Sequence, residues 1–295
     1  MNLFLQQLVN GLSTGALYAL FAIGFGIIFA NMGILNVAHG TFATWGVVAA
    51  YELVIHTGLP FVVAVPAAAI AAGAIGLLAE TFAFRPLREK NAGLLGSIIV
   101  AVGVWIILLN LAEVVLGPDA VALPDGVFPT KAIAVAGLQI PPIYFVNVLT
   151  LAVVAIGLGL FLSRTRFGAA IRAVGFKPES AAIAGVNARL ALGVTAVIAA
   201  GIAGVAGILT AATTNNVSFN VGEGLLLKGF AAVVIGGFGN LRGAVLGGLA
   251  IGIIEIMTVQ YLSTTFREAI VFGLLLVFLV ARPQGIFGEV KVSRA

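Results

Sequence analysis

Residues 11–15 read Gly-Leu-Ser-Thr-Gly, the spacing of a nucleophile elbow, which would offer acyl transfer through Ser13. That chemistry needs a sharp strand-to-helix turn, and the motif sits instead inside an apolar run that reads as one helix. Gly236-Gly237-Phe238-Gly239 begins like a dinucleotide fingerprint, but Arg242 stands where the last glycine belongs. No G-x-x-x-x-G-K-[ST] phosphate loop occurs, so the chain does not bind and split ATP in that way. His39 and His56 have no carboxylate partners at metal-ligand spacing, so no metal ligands are assigned. The lack of cysteine removes thiol nucleophiles, disulfides and cysteine zinc sites together. What remains is a few ionisable groups inside apolar runs. Glu255, in Ile251-Gly252-Ile253-Ile254-Glu255-Ile256-Met257, lies far from either end of its run. In hydrocarbon such a group must face a partner, a cavity or a pathway, and a structural pair and a transport role both stay open. Glu52, Glu80, Glu113, Glu223 and Lys228 lie nearer the ends of their runs, where interfacial water or a structural pair accounts for them. A single deep carboxylate does not make a proton relay.

The elements that hold these residues follow from composition. Of 295 residues, 61% are hydrophobic and 9% charged, against about 25% charged in soluble domains. That supply cannot cover a water-facing surface, and with a mean hydropathy of +1.18 the chain reads as an integral membrane protein. The high isoelectric point does not signal a nucleic-acid partner, because the 15 basic residues form no groove-like cluster free of apolar surface. Long unbroken runs, rather than alternating ten-residue segments, argue for helices over a barrel. Nine segments are expected, near 8–30, 34–55, 60–83, 94–116, 142–163, 190–213, 225–238, 244–262 and 268–281. The 225–238 segment and the stretch from Gly33 to Gly40 are short or broken, as half-helices or re-entrant pieces are. The fold class is thus an all-α polytopic bundle of about 8–10 transmembrane helices in one domain, 1–295. The start, Met1-Asn2-Leu3-Phe4, reads as the beginning of a membrane helix rather than a removed signal peptide.

Twelve of the 15 basic residues fall on one side if the nine segments alternate: Arg85, Arg88, Lys90, Arg164, Arg166, Arg172, Lys177, Arg189, Arg242, Arg282, Lys291 and Arg294. The opposite loop, 117–141, holds Asp119, Asp125 and Lys131. By the positive-inside rule the basic side and the C-terminus are cytoplasmic and the N-terminus is outside; one re-entrant segment would reverse the N-terminus alone. Glycines at four-residue spacing, Gly239, Gly243 and Gly247, Gly248 and Gly252, and Gly11 and Gly15, mark faces for close helix packing. Gly201, Gly204 and Gly207 form a similar seam at three-residue spacing. The loop 164–189 carries five of the basic residues and an Ala-rich run opened by Pro178 and Glu179, which favours a short amphipathic helix. Such a helix suits a soluble partner; an ordinary positive-inside loop would explain the arginines alone.

Three blocks carry a family resemblance. Residues 19–40, ALFAIGFGIIFANMGILNVAHG, resemble the opening signature of branched-chain amino-acid ABC transporter permeases, with Asn36-Val37-Ala38-His39-Gly40 at its N-x-A-H-G block. Residues 228–255, KGFAAVVIGGFGNLRGAVLGGLAIGIIE, resemble that family's C-terminal glycine signature. The 164–187 stretch resembles its coupling segment, with Gly168, Arg172-Ala173, Ala181-Ala182 and Gly185 in place. The length is similar to that of the shorter of the two paralogous permeases. The resemblance implies a permease that pairs with a second permease, a paralogue or itself, in the cytoplasmic (inner) membrane lipid. It also implies two cytoplasmic ATPase subunits, which would bind the ATP, and a periplasmic or extracellular substrate-binding protein. No cofactor is implied for the chain itself. Arg164, Arg166, Gly168, Arg172, Ala173, Glu179, Ala181 and Gly185 would couple to the ATPases. The implied substrate is a branched-chain aliphatic amino acid, with urea or short amides as the family's alternative. An ion-coupled transporter or a channel is the alternative from another class. Asn36, His39, Gly40 and Glu255 are candidate pathway contacts for a zwitterionic head group; for Asn36 and His39 a structural cap on the broken backbone is the competing role.

Overall fold

The computed structural model describes residues 2–90, 92–124, 131–135, 137–282 and 284–288. Asp125, Lys291 and Arg294 lie outside them. Among the described residues the regular structure is twelve α-helices, a π-helical turn Glu80–Phe84, a 3-10 turn Thr264–Phe266 and one small hairpin: α1 Asn2–Met32, α2 His39–Thr57, α3 Phe61–Ala79, α4 Arg85–Glu89, α5 Gly93–Leu116, strands β1 Ile133–Val135 and β2 Leu138–Ile140, α6 Pro142–Arg164, α7 Arg166–Phe176, α8 Pro178–Ile183, α9 Ala188–Thr214, α10 Val221–Gly236, α11 Leu241–Tyr261 and α12 Arg267–Ala281. Each of the nine expected apolar segments is a helix. Seven helical stretches are long and apolar enough to cross a membrane; the other two expected segments are α2, preceded by a non-helical link at 33–38, and the 16-residue α10. These are the two that the sequence marks as broken or short.

Helices α1 and α9 form the centre, with 83% of their most apolar windows buried, against 11% for α5 and α12. Lipid tails are as apolar as leucine, so burial does not drive these helices together; close backbone approach does. Gly248 lies directly on the backbone of Ala19, and Gly252 on that of Gly15. Gly243 and Gly247 turn the other way, onto the backbone of Gly236 and the carbonyl of Ala232 in α10. The two glycine pairs of α11 therefore serve two different neighbours. Gly239 is not on this helix: it lies in the turn before Leu241 with φ +78°, which corrects its expected place in the row. On α9, Gly201 and Gly204 face Ala69 and Ala68 of α3, while Gly207 meets Ala43 of α2.

The two ends of the bundle are tied differently. At one, Gln6 exchanges two 2.9 Å hydrogen bonds with the backbone of Gln139, and Gln7 donates to Gln260 at 2.7 Å. Val121 and Val217 exchange a pair of backbone bonds there, at 2.9 and 2.8 Å. At the other end lie the basic segments. Arg189 pairs with Glu89 at 2.9 Å, Gly175 packs on Asn31, and Asn240 donates to the Phe287 carbonyl at 3.0 Å.

Substituting Gly252→Leu places a side chain where the Gly15 backbone already sits, so α1 and α11 must separate. Overpacking costs about 1–3 kcal/mol and more against rigid backbone. The thermal midpoint in detergent is expected to drop clearly, while Gly103→Ala, with open space around it, leaves the midpoint unchanged.

Candidate functional site

The resemblance-implied residues fall in three places. The first is the break between α1 and α2. Gly33 ends α1 in the left-handed region at φ +64°, donating its N–H to the Phe29 carbonyl at 2.9 Å. The chain then returns along α1, and α2 begins beside Phe21, Gly24 and Phe25. His39 is fully buried, edge-on to Phe21 at 4.8 Å, Phe25 at 5.7 Å and Phe42 at 5.9 Å between ring centroids. Neither ring nitrogen has a hydrogen-bond partner among the described residues, and neither does the Asn36 side-chain oxygen. The expected side-chain cap is not formed: the N-cap of α2 is Ala38, and Thr41 donates its hydroxyl back to the Ala38 carbonyl at 2.7 Å. Gly40 lies against the carbonyl of Gly222, bringing α2 and α10 into backbone contact. In this conformation Asn36, His39 and Gly40 are interior groups.

The second place is an ion-pair cluster around Glu255. Glu255 is fully buried and takes two cations, Lys228 of α10 at 2.8 Å and Arg267 at the start of α12. Lys228 also lies 3.6 Å from Glu268, and its ammonium sits 5.4 Å from the centre of the Tyr18 ring of α1. Tyr18 interacts with both Glu255 and Arg267. Two carboxylates and two cations thus form a neutral net joining α10, α11 and α12, with Tyr18 of α1 set against it. Lys228 is buried and paired, so interfacial water is not what accounts for it. Glu80 is likewise buried, held by Arg88 two turns later. Arg267 and Glu268 were not visible as site residues in the sequence; a polar pair opening an apolar run was the available signal.

The third is the basic stretch between α6 and α9, which is two helices rather than a loop with one. Thr165 caps α7 by accepting the Gly168 N–H at 2.9 Å, and Gly168 itself packs on the Phe161 carbonyl and Leu162 backbone. Pro178 and Glu179 open the six-residue α8 as their types suggest. Ile171, Val174 and Ala181 pack with Ala191 and Leu192 into a small separate core that also touches Met32 at the end of α1. Arg164, Arg166, Arg172 and Glu179 stay exposed, Ala173 is half-buried, and Gly185 turns the chain at φ +79°. Two large apolar side chains on this polar end face outward, Phe176 at 90% and Ile183 at 89% exposure. Above it, a cavity of about 850 Å³ separates α7 from the 237–241 turn.

Elsewhere, polar groups are tied up structurally. Asn147 of α6 donates to Ser13 and to Thr213, each at 2.9 Å, binding α1, α6 and α9. Ser13 lies mid-helix, so the elbow geometry is absent. His56 meets Glu52 one turn earlier at 2.9 Å, an exposed i,i+4 contact that gives this histidine a carboxylate neighbour after all. No group of three or more metal-ligating side chains occurs among the described residues.

Residues 7–280 match the family model described as branched-chain amino acid transport system / permease component. The chain belongs to that family. It is 33% identical to the Pseudomonas aeruginosa high-affinity branched-chain amino acid transport system permease protein BraD, over 99% of this chain and 98% of BraD. It is also 33% identical to LivH, the corresponding Escherichia coli K12 permease protein, over 99% and 97% of the two chains. An archaeal relative from Methanocaldococcus jannaschii, a probable LivH, is 28% identical over 92% and 89%. No solved structure matches. The chain is therefore a multi-pass membrane permease component, which gives its glycine seams and paired charges a transport setting.

Replacing Glu255 by Gln leaves Lys228 and Arg267 without their shared carboxylate. Breaking a buried pair from one side costs about 3–5 kcal/mol. The variant is expected to lose most of its detergent stability, and adding Lys228→Met to recover part of it; thermal unfolding followed by size-exclusion chromatography measures both.

Proposed function

We propose that this chain is a permease subunit of an ATP-binding-cassette importer that moves branched-chain, aliphatic amino acids across the cytoplasmic membrane. The observation that carries the reading is similarity to BraD and LivH over 99% of this chain. The chain has no phosphate loop of its own, so ATP would be bound and split by separate cytoplasmic subunits. A second permease and a substrate-binding protein would complete the assembly, with the basic end and the C-terminus inside the cell.

The α7–α8 pair supports a mechanism. Phe176 and Ile183 offer exposed apolar side chains on a stretch that also carries the exposed Arg166, Arg172, Lys177 and Glu179, the mix of apolar anchor and charge found at interfaces. A push on α7–α8 would pass through the Ile171–Val174–Leu192 core to the end of α1 and the start of α9. Packed helices with backbone contact shift between discrete arrangements rather than deform smoothly, which suits alternation between inward- and outward-facing states.

Reconstituted with its partner subunits, the chain is expected to take up labelled leucine only when ATP is present. Uptake that persists without the ATPases, or that follows an ion gradient, overturns the reading. Phe176→Asp combined with Ile183→Asp is expected to weaken association of the ATPase subunits at least tenfold with membrane insertion intact, measured by co-purification. Tenfold corresponds to about 1.4 kcal/mol.

A further inference from the structure

The residues first suspected of meeting substrate are enclosed: Asn36 is 3% exposed and His39 and Glu255 are fully buried. The charged groups that do reach the surface of the bundle at membrane depth are elsewhere. Arg267 is 39% exposed and Glu268 55%, on the first turn of α12. Their depth follows from contact. Arg267 touches Glu255, which lies six residues before the end of α11 at Tyr261, roughly 9 Å inside it at 1.5 Å per residue. A glutamate side chain is too short to reach interfacial water from there, and a charge facing hydrocarbon is costly. Gly224 and Leu227 of α10, both exposed, lie within about one turn of Lys228, which itself approaches Glu268. A surface that carries half-exposed charges of both signs at this depth must border water or protein.

We propose that the rim formed by the first turns of α10 and α12 lines the translocation pathway, and that Glu268 and Arg267 hold the ammonium and carboxylate of a zwitterionic α-amino acid there. Glu268 is the loosest member of the charged net, 3.6 Å from Lys228, and so keeps acceptor capacity for an ammonium. A guanidinium has five N–H donors, and the bond to Glu255 uses the one on Nε. The Lys228–Glu255 pair behind them fixes the position of both groups without facing the pathway itself. Leu227 and Gly224 beside them leave an apolar wall and free space for an aliphatic side chain. The inference rests on the importer reading, because it needs an amino acid as cargo.

The chain contains no cysteine, so single-cysteine variants report cleanly on their own position. In the complete transporter, Glu268→Cys is exposed to a charged, membrane-impermeant methanethiosulfonate, and labelling is read as the mass shift of this chain. Thiolates form in water, so position 268 is expected to react at least tenfold faster than Ile156→Cys on α6 and Ile107→Cys on α5, both apolar, exposed positions. Glu268→Gln, which leaves the Lys228–Glu255 pair in place, is expected to lower leucine uptake at least tenfold, with Glu268→Asp restoring most of it. Labelling at 268 no faster than at the two controls, or uptake by Glu268→Gln within twofold of the unaltered chain, overturns the proposal. Failure of the importer reading shows separately, as no ATP-driven leucine uptake by the unaltered chain.

Discussion

Contact between helix backbones is the interaction on which this bundle depends. In water, a leucine stripe would hold two helices together; here the solvent is itself apolar and rewards no such stripe. Helices must instead touch closely enough for dispersion between backbones to count, and only glycine and alanine permit that. Helix α11 shows the arrangement at its clearest, since neighbouring glycines Gly247 and Gly248 look in different directions, one into α10 and the other into α1. The central α9 repeats it against α2 and α3. Large side chains such as Phe21, Phe25 and Phe42 fill the interior between these seams, and Ile70, Phe82, Ile106 and Val114 cover the perimeter.

The second constraint is that polar groups inside such a bundle must be satisfied by one another. Asn147 satisfies Ser13 and Thr213, and Glu80 is met by Arg88. The Lys228–Glu255–Arg267–Glu268 net is the largest case and is neutral as a whole. It ties the short α10, through Lys228 near its middle, to α11 and α12. Among the described residues the buried atoms without a partner include the Asn36 oxygen and both His39 nitrogens, which sit where the backbone is also irregular, together with one oxygen each of Asn147 and Glu255 and Nε of Arg85.

The membrane character, the helical segments and the two weak spans were all legible in the sequence, because long apolar runs and their interruptions are local signals. So was the separation of basic residues toward one end. Spatial partners were not legible. Lys228 and Glu255 are 27 residues apart, and nothing in either neighbourhood names the other. Arg267 looked like an ordinary flank of an apolar run. The amphipathic α7, in which Arg, Gly and Ala break up single Phe, Ile and Val residues, has no long apolar run and so reads as loop until its cap and its buried Ile171 and Val174 are seen. Gly239 shows the opposite error: a perfect four-residue spacing that straddles a helix boundary.

The hydrogen bonds of Gln6, Gln7 and Gln260 at one end of α1 have a mechanical consequence. A 31-residue helix is roughly 46 Å long at 1.5 Å per residue. Tied near its first turns to the end of α11 through Gln7 and Gln260, in backbone contact with α11 at Gly15 and Ala19, and packed at its last turn on the small α7–α9 core, it can swing only as one body with α11. A rotation of about 5° at the pinned end carries Met32 roughly 4 Å, on the order of one helical turn's rise. For α1 and α11 moving together, small adjustments within the amide contacts would translate into a displacement at the far end comparable to the rise of a helical turn.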